Sequence, residues 1–150
     1  MTIFIDADAC PKPIKEILFK AADREQISCV FIANHAFYYP NSPYIKTRIV
    51  DKGFDIADNY IISKVASNDL VITSDIPLAS EVIKKGAIVI SSSGKIYTKS
   101  NIAQALAMRN FFTEMRDAGM IESKSKPFNQ KNSHAFAKEL DKYLHGVKNK

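Results

Sequence analysis

Acidic residues stand at two points of this 150-residue chain where carboxylates can do chemistry. Asp6 and Asp8 flank Ala7 directly after the apolar run Thr2-Ile3-Phe4-Ile5, and Asp75 follows Leu70-Val71-Ile72-Thr73-Ser74. Carboxylates gathered together repel and raise one another's pKa unless a cation neutralises them. Ligation by a few carboxylates and waters suits Mg²⁺ or Mn²⁺, which keep open positions for phosphate oxygens. The chemistry predicted is therefore metal-dependent phosphoryl transfer, with Asp6, Asp8 and Asp75 as its acids. A plainer reading stands beside it, because an Asp after a strand often only forms a turn or caps a helix. That reading is weaker for Asp6 with Asp8, since one cap needs one carboxylate.

Asp58 falls in the first turn of a helical stretch, where the helix dipole alone favours an acid; it is either a further metal ligand or a dipole partner. Asp69 precedes its strand and belongs to the opposite edge, outside the site. Asn34, Thr73 and Ser74 end strands on the acidic side and can donate hydrogen bonds that orient the ligands. Lys46, Arg48 and Arg109 are candidates to hold a phosphate backbone, Arg109 because it interrupts an apolar stripe. Arg109 could equally pair with a carboxylate at the core edge. Cys10 near a helix start could be an activated thiol, but a small buried side chain is the simpler reading. Phe37-Tyr38-Tyr39 could stack bases or pack on the domain. His35, His134 and His145 have no ligand spacing and receive no role.

These residues need a frame. Thr2 to Ile5 and Ser28 to Ala33 are strands, separated by a helical pattern through Ile14, Ile17, Leu18, Ala21 and Ala22, with Pro11 and Pro13 at its first turn. Ile45, Thr47 and Ile49 alternate with Lys46 and Arg48 as a half-exposed strand. A helix capped by Asp55 follows, with Ile56, Tyr60, Ile61 and Val65 as its apolar face. Leu70 to Thr73, a helix through Leu78, Ala79, Val82 and Ile83 ended by Gly86, and Ala87 to Ile90 form a second β-α-β unit. Ser91 to Gly94 is a loop. A long helix is predicted from about Ser100 to Arg116 with the stripe Ile102, Ala105, Leu106, Arg109, Phe112 and Met115. A polar linker from Gly119 to Asn132 leads to a last helix capped by Asn132 or Ser133, with Phe136, Leu140 and Tyr143 on one side. The expectation is a single-domain α/β fold: a mainly parallel twisted sheet with helices on both faces, and a basic linker and helix over about residues 119–150. In such sheets ligands bind at the carboxyl ends of the strands, where Asp6, Asp8, Asn34, Asp75 and the serine loop would meet.

Composition sets the outer bounds. Hydrophobic residues make up 46% and charged residues 25%, which fits a globular domain and excludes disordered and fibrous classes. No apolar run reaches the ~18 residues of a membrane span. Met1 runs directly into a strand without a secretory leader, so a cytoplasmic protein is expected. Cys10 and Cys29 lack metal or redox spacing and are expected as free thiols. The net charge is +5, with 13 basic against 12 acidic residues up to Met115 and 8 against 4 from Arg116 onward. That tail points to an anionic partner such as nucleic acid, or is a solvated basic segment.

Several motifs in order, Asp6-Ala7-Asp8-Ala9-Cys10-Pro11, Ala33-Asn34, Gly53-Phe54-Asp55-Ile56-Ala57-Asp58-Asn59, Asp69 to Ala79 and Met108-Arg109-Asn110-Phe111, resemble the YaiI/YqxD family of small bacterial proteins. The late Phe136-Ala137 and Leu140-Asp141 also fit, so the resemblance covers nearly the whole chain. It implies kinship with PIN-like nuclease domains. In those, one Asp ends the first strand, a second acid sits on a middle helix and further acids follow a later strand, together binding Mg²⁺ or Mn²⁺. By that resemblance Asp6, Asp58 and Asp75 match the three positions. Asp8 is additional, and Ile76-Pro77-Leu78 stands where a fourth acid would follow Asp75, a departure that argues against a two-metal arrangement.

Three functions compete. The first is a Mg²⁺- or Mn²⁺-dependent nuclease-like protein acting on RNA or single-stranded nucleic acid, with Asp6, Asp8, Asp58 and Asp75 as direct or water-mediated ligands. The second is a phosphatase resembling the haloacid dehalogenases, with Asp6 as nucleophile and Asp8 as acid/base, although the lid insertion expected of that family is missing. The third is a module that binds a metal or RNA without turnover.

Overall fold

Short apolar runs bounded by turn residues become strands here, and runs with apolar residues every three or four positions become helices. The computed structural model describes residues 1–53, 55–121 and 128–148. In chain order it contains β1 (Thr2–Asp6), α1 (Lys12–Glu25), β2 (Ser28–Ala33), β3 (Ile45–Ile49), α2 (Ile56–Lys64), β4 (Leu70–Ile72), α3 (Ile76–Lys84), β5 (Ile88–Ile90), β6 (Ile96–Tyr97), α4 (Ile102–Asp117) and α5 (Gln130–Lys148). A single 3-10 turn, Ala7–Ala9, joins β1 to α1.

The six strands form one sheet in the order β3-β2-β1-β4-β5-β6. The first five run parallel and β6 is antiparallel to β5. Helices cover both faces. On one, Ile14, Leu18 and Phe19 of α1 and Phe136, Leu140 and Leu144 of α5 pack on Ile3, Ile5, Phe31 and Ile72. On the other, Ile61 of α2, Leu78, Val82 and Ile83 of α3 and Ile102 of α4 pack on Phe4, Ile32, Val71 and Val89. Alternate residues of each strand thus serve opposite faces, as the pleat requires. Each fully buried Ile, Leu or Phe contributes about 1.5–3 kcal/mol. The α/β architecture is the expected one, and it is consistent with a PIN-like fold.

Chain order and sheet order disagree at one place. From β1 the chain moves outward to β2 and β3, then returns to place β4 on the other side of β1. Crossovers leaving β1 and β4 therefore go to opposite sides, which opens a crevice at the carboxyl ends of these two strands. Asp6 ends β1 and Asp75 lies three residues beyond β4.

Several local expectations are corrected. Strand β6 was not anticipated, because two residues carry no legible alternation. The last helix begins at Gln130: Asn129 and Asn132 exchange hydrogen bonds, each backbone N–H donating to the other's Oδ1 at 3.0 and 3.1 Å, so the cap lies earlier than Asn132 or Ser133. Of the stripe on α4 only Ile102 is buried, and Phe112 is 42% exposed. The helix lies against α3 as an outermost layer, which leaves most of its apolar side uncovered by described residues. Ile56 of the expected α2 face is exposed, while Ile61 and Val65 are buried. Phe54 and residues 122–127 of the linker, with Lys124 and Lys126, lie outside the described residues.

Candidate functional site

Asp6 enters the crevice because β1 is buried on both sides up to Ile5, and the chain must turn once it emerges. Across the crevice, Thr73 is buried just beyond β4, its N–H donating to Ile90 O at 3.3 Å. The Thr73 side chain then joins the two acids. Its Oγ1 donates to Asp6 Oδ2 at 3.2 Å and accepts the Asp75 N–H at 3.0 Å. Asp75 Oδ1 accepts the Leu78 N–H at 3.0 Å, so Asp75 is the N-cap of α3, with Pro77 in that helix's first turn. The plainer reading of Asp75 holds for that oxygen. The other, Oδ2, makes no hydrogen bond with a described residue.

Charge at the site is unbalanced. Burial holds the Asp6 carboxyl above the usual aspartate range; the Thr73 hydrogen bond opposes this, and the charges of Asp75 and Asp8 add to the rise. Asp58, in the first turn of α2, is pushed up to about 6 by burial and then by Asp75, Asp6 and Asp55. Asp58 therefore shares one field with Asp6 and Asp75. Asp55 occupies the cap position of α2 in a left-handed conformation (φ 62°) and makes no side-chain cap bond, so it adds repulsion instead of a cap. No Lys or Arg among the described residues forms an ion pair with Asp6, Asp58 or Asp75.

Asp8 behaves differently. Its Oδ2 accepts the Asn34 N–H at 2.8 Å, and its Oδ1 lies 2.9 Å from His35 Nδ1. The side-chain oxygen of Asn34 lies 3.2 Å from the same ring nitrogen. Asp8 thus fastens the turn after β1 to the end of β2 and has both oxygens engaged. His35 carried no ligand spacing and was missed; only its position after a strand end could have pointed to it. Ser92 was also missed individually, although its loop was placed at this edge. Ser74 Oγ and Ser92 Oγ are 2.9 Å apart, linking the ends of β4 and β5. Asp69 sits at the far edge, where its oxygens accept the N–H groups of Thr2 and Ala66, a purely structural task.

The basic candidates are spread out. Lys46 and Arg48 are exposed on edge strand β3, with the Arg48 guanidinium 5.7 Å from the Tyr60 ring. Arg109 lies on α4, which packs against α3, and among the described residues it pairs with no carboxylate. Burial pushes the Cys10 thiol up to about 12, which removes it as an activated nucleophile. Phe37 packs on Phe31 with ring centres 6.0 Å apart, while Tyr38 is 84% exposed.

Among the described residues no three His, Cys, Asp or Glu side chains stand close enough to hold one ion together. A divalent ion would therefore take direct ligands from a pair of these acids, with water or phosphate oxygens completing its shell. That mode suits Mg²⁺, which is commonly bound through one or two carboxylates and substrate phosphates. The donor set is compatible with such an ion: all oxygen, mutually repelling, and without a basic partner.

No described helix is long and apolar enough to cross a membrane. Residues 4–146 match the family described as "Uncharacterized BCR, YaiI/YqxD family". The chain is similar to proteins named "UPF0178 protein" from Marinobacter nauticus (54% identical, 96% of each chain covered), Marinomonas sp. (52%, 96% of this chain and 97% of the other) and Proteus mirabilis (49%, 96% and 95%). No solved structure matches it. The match over residues 4–146, a span that contains the crevice and its frame, places this chain in the YaiI/YqxD family.

Proposed function

We propose that the chain is a Mg²⁺- or Mn²⁺-dependent nuclease-like hydrolase acting on RNA or other single-stranded nucleic acid. The observation that carries this reading is the Thr73 hydroxyl joining Asp6 to the Asp75 backbone at the crevice between β1 and β4, with Asp58 in the same field. The resemblance to PIN-like domains supports the same three acids. Asp6 and Asp75 would hold the ion, and Asp58, largely ionised near neutral pH, would attract it or hold one of its waters. A bound ion would polarise the phosphate and lower the pKa of a bound water, which favours the hydroxide that attacks. The chain's part is positional: Thr73 aims the Asp6 carboxylate, the α3 cap fixes Asp75, and Asp8 keeps the turn after β1 against β2. Asp8 fits an acid/base role in a phosphatase poorly, because both its oxygens already have partners.

The test is incubation of purified protein with end-labelled RNA and Mn²⁺. Cleavage is expected, and Asp6→Asn and Asp75→Asn should each remove it while leaving the fold intact. Cleavage that survives Asp6→Asn unchanged would reject the reading. Binding that tightens with Mn²⁺, with no cleavage across a broad substrate panel, would instead assign the crevice to a module without turnover.

A further inference from the structure

Between α4 and the edge formed by β6 and α3 lies a groove of about 590 Å³ that the acidic site does not use. Its apolar surface comes from Ile76, Tyr97, Met108 and Phe112. Its charged residues are Lys95, Arg109 and Arg116, and no Asp or Glu lines it. None of the three cations forms an ion pair with a described residue. Arg109 touches Asn110 Oδ1 at 3.1 Å through one terminal nitrogen, and Arg116 touches Thr113 Oγ1 at 3.2 Å through one of its own, which leaves other guanidinium N–H groups for a ligand. Met108 and Phe112 are 47% and 42% exposed, so the groove offers apolar faces as well as charge.

Three uncompensated cations select an anionic occupant. A second copy of this chain is disfavoured, because a two-fold interface sets the same patch against itself and would oppose like charges. Cations beside an exposed aromatic face match the way proteins track single strands, charge on the backbone and stacking on the base. Position decides the rest: Ile76, a wall of the groove, directly follows Asp75. The groove therefore begins at the N-terminus of the helix that Asp75 caps.

We propose that this groove seats the stretch of single-stranded nucleic acid adjoining the acidic site, with Arg109 and Arg116 on backbone phosphates, Lys95 neutralising the same backbone and Phe112 stacking on a base. The proposal rests on the nuclease-like reading of the crevice and extends it to a substrate track.

The experiment measures anisotropy of a fluorescein-labelled single-stranded RNA decamer with the full chain carrying Asp6→Asn, in Mg²⁺, across a salt series. The double substitution R109Q/R116Q is expected to weaken binding roughly ten-fold or more at low salt and to lower the logarithmic salt slope by about 1.4, two contacts at about 0.7 each. R109K/R116K should restore most of the slope, because Lys serves phosphate as a point charge. Phe112→Ala should weaken binding roughly five-fold or more with the slope unchanged. Unchanged affinity and slope in R109Q/R116Q would overturn the proposal. A parallel cleavage assay in Mn²⁺ separates the two readings. Cleavage that depends on Asp6, with an unaltered slope in R109Q/R116Q, rejects the groove alone. Cleavage indifferent to Asp6→Asn rejects the crevice reading, while a slope lowered by R109Q/R116Q still supports binding in the groove. A concentration-dependent dimer in sedimentation velocity, dissolved by Phe112→Ala, would assign the groove to a second copy and overturn the proposal.

Discussion

The carboxylate of Asp8 closes onto the backbone of Asn34, Oδ2 accepting the N–H at 2.8 Å, so the turn after β1 is tied to the end of β2. The contact gives Asp8 an architectural task within a motif whose spacing points to chemistry. Asp8→Ala should lower stability by about 1–2 kcal/mol, the scale for losing a charge-assisted hydrogen bond in a partly exposed place. Asp8→Asn, which keeps an acceptor oxygen, should lose less. Urea unfolding of the two variants beside Asp6→Asn checks the assignment. A stability unchanged in Asp8→Ala would remove the architectural role.

Thr73 carries a second prediction. Its hydroxyl both steadies the ionised Asp6 and satisfies the Asp75 N–H. Thr73→Val keeps the shape but removes both contacts. The Asp6 pKa should rise further, because the one influence lowering it is lost, and stability should fall by about 1–2 kcal/mol through the unpaired N–H. Carboxyl carbon NMR titration reads the first effect and denaturant unfolding the second. Thr73→Ser should restore both, since it returns the hydroxyl.

Asp58 makes stability depend on pH in the less common direction for a carboxyl group. Its folded pKa, about 6, lies above the ordinary aspartate value of about 3.9. Between these values the folded state holds a proton that the unfolded chain has released, so stability falls as pH rises from about 4 to about 6 and then levels. Asp6 acts in the same direction. Asp58→Asn should flatten this decline and stabilise the protein at pH 7 by under about 1 kcal/mol, because the half-buried carboxyl is partly screened by solvent. Added Mn²⁺ should raise Tm at pH 7 more than at pH 5, since protons compete with the ion for the same oxygens. An equal rise in the doubly substituted Asp6→Asn, Asp75→Asn protein would place the ion elsewhere.

The frame of this site was legible because each of its strands is a short apolar run ending at a polar residue, and the edge on which an acid falls follows from whether it precedes or follows its strand. That rule separated Asp69 from Asp6 and Asp75. The different partners of Asp6 and Asp8 were not legible, because two acids two residues apart look alike until the end of β2 is known to lie beside one of them. The exposed side of α4 misled for a related reason. Apolar residues at helical spacing predict a buried face, yet burial also needs a partner layer, and no described element covers Phe112. Strand β6 and the contribution of Lys95 depend on where the chain returns after β5, a tertiary fact with no local pattern.

The last helix bears on how the basic tail can be tested. Phe136, Leu140 and Leu144 are 0%, 0% and 1% exposed, one side of α5 sealed against the sheet and α1. The helix also reaches the site's edge: a Cβ at Gly94, which has φ of +87°, would lie 2.6 Å from the Ala135 carbonyl carbon, so only glycine lets the Ser91–Ser93 turn approach α5. Phe136→Ala should cost about 3–5 kcal/mol, a large part of the 5–15 kcal/mol that ordinarily holds such a fold. Truncation near Gly119 would therefore unfold the protein or expose its core, and any loss of nucleic-acid binding would say nothing about tail charge. Replacing Lys124, Lys126 and Lys131 with Gln avoids this: Lys131 is exposed on the first turn of α5, where a surface change usually stays within about 0.5 kcal/mol, and the other two lie outside the described residues. If the tail contacts phosphates, the triple variant should keep its Tm, bind the RNA decamer more weakly and lose up to about 0.7 of salt slope per contact. An unaltered affinity and slope would leave these lysines as an ordinary solvated segment and the groove on α4 as the route for the strand.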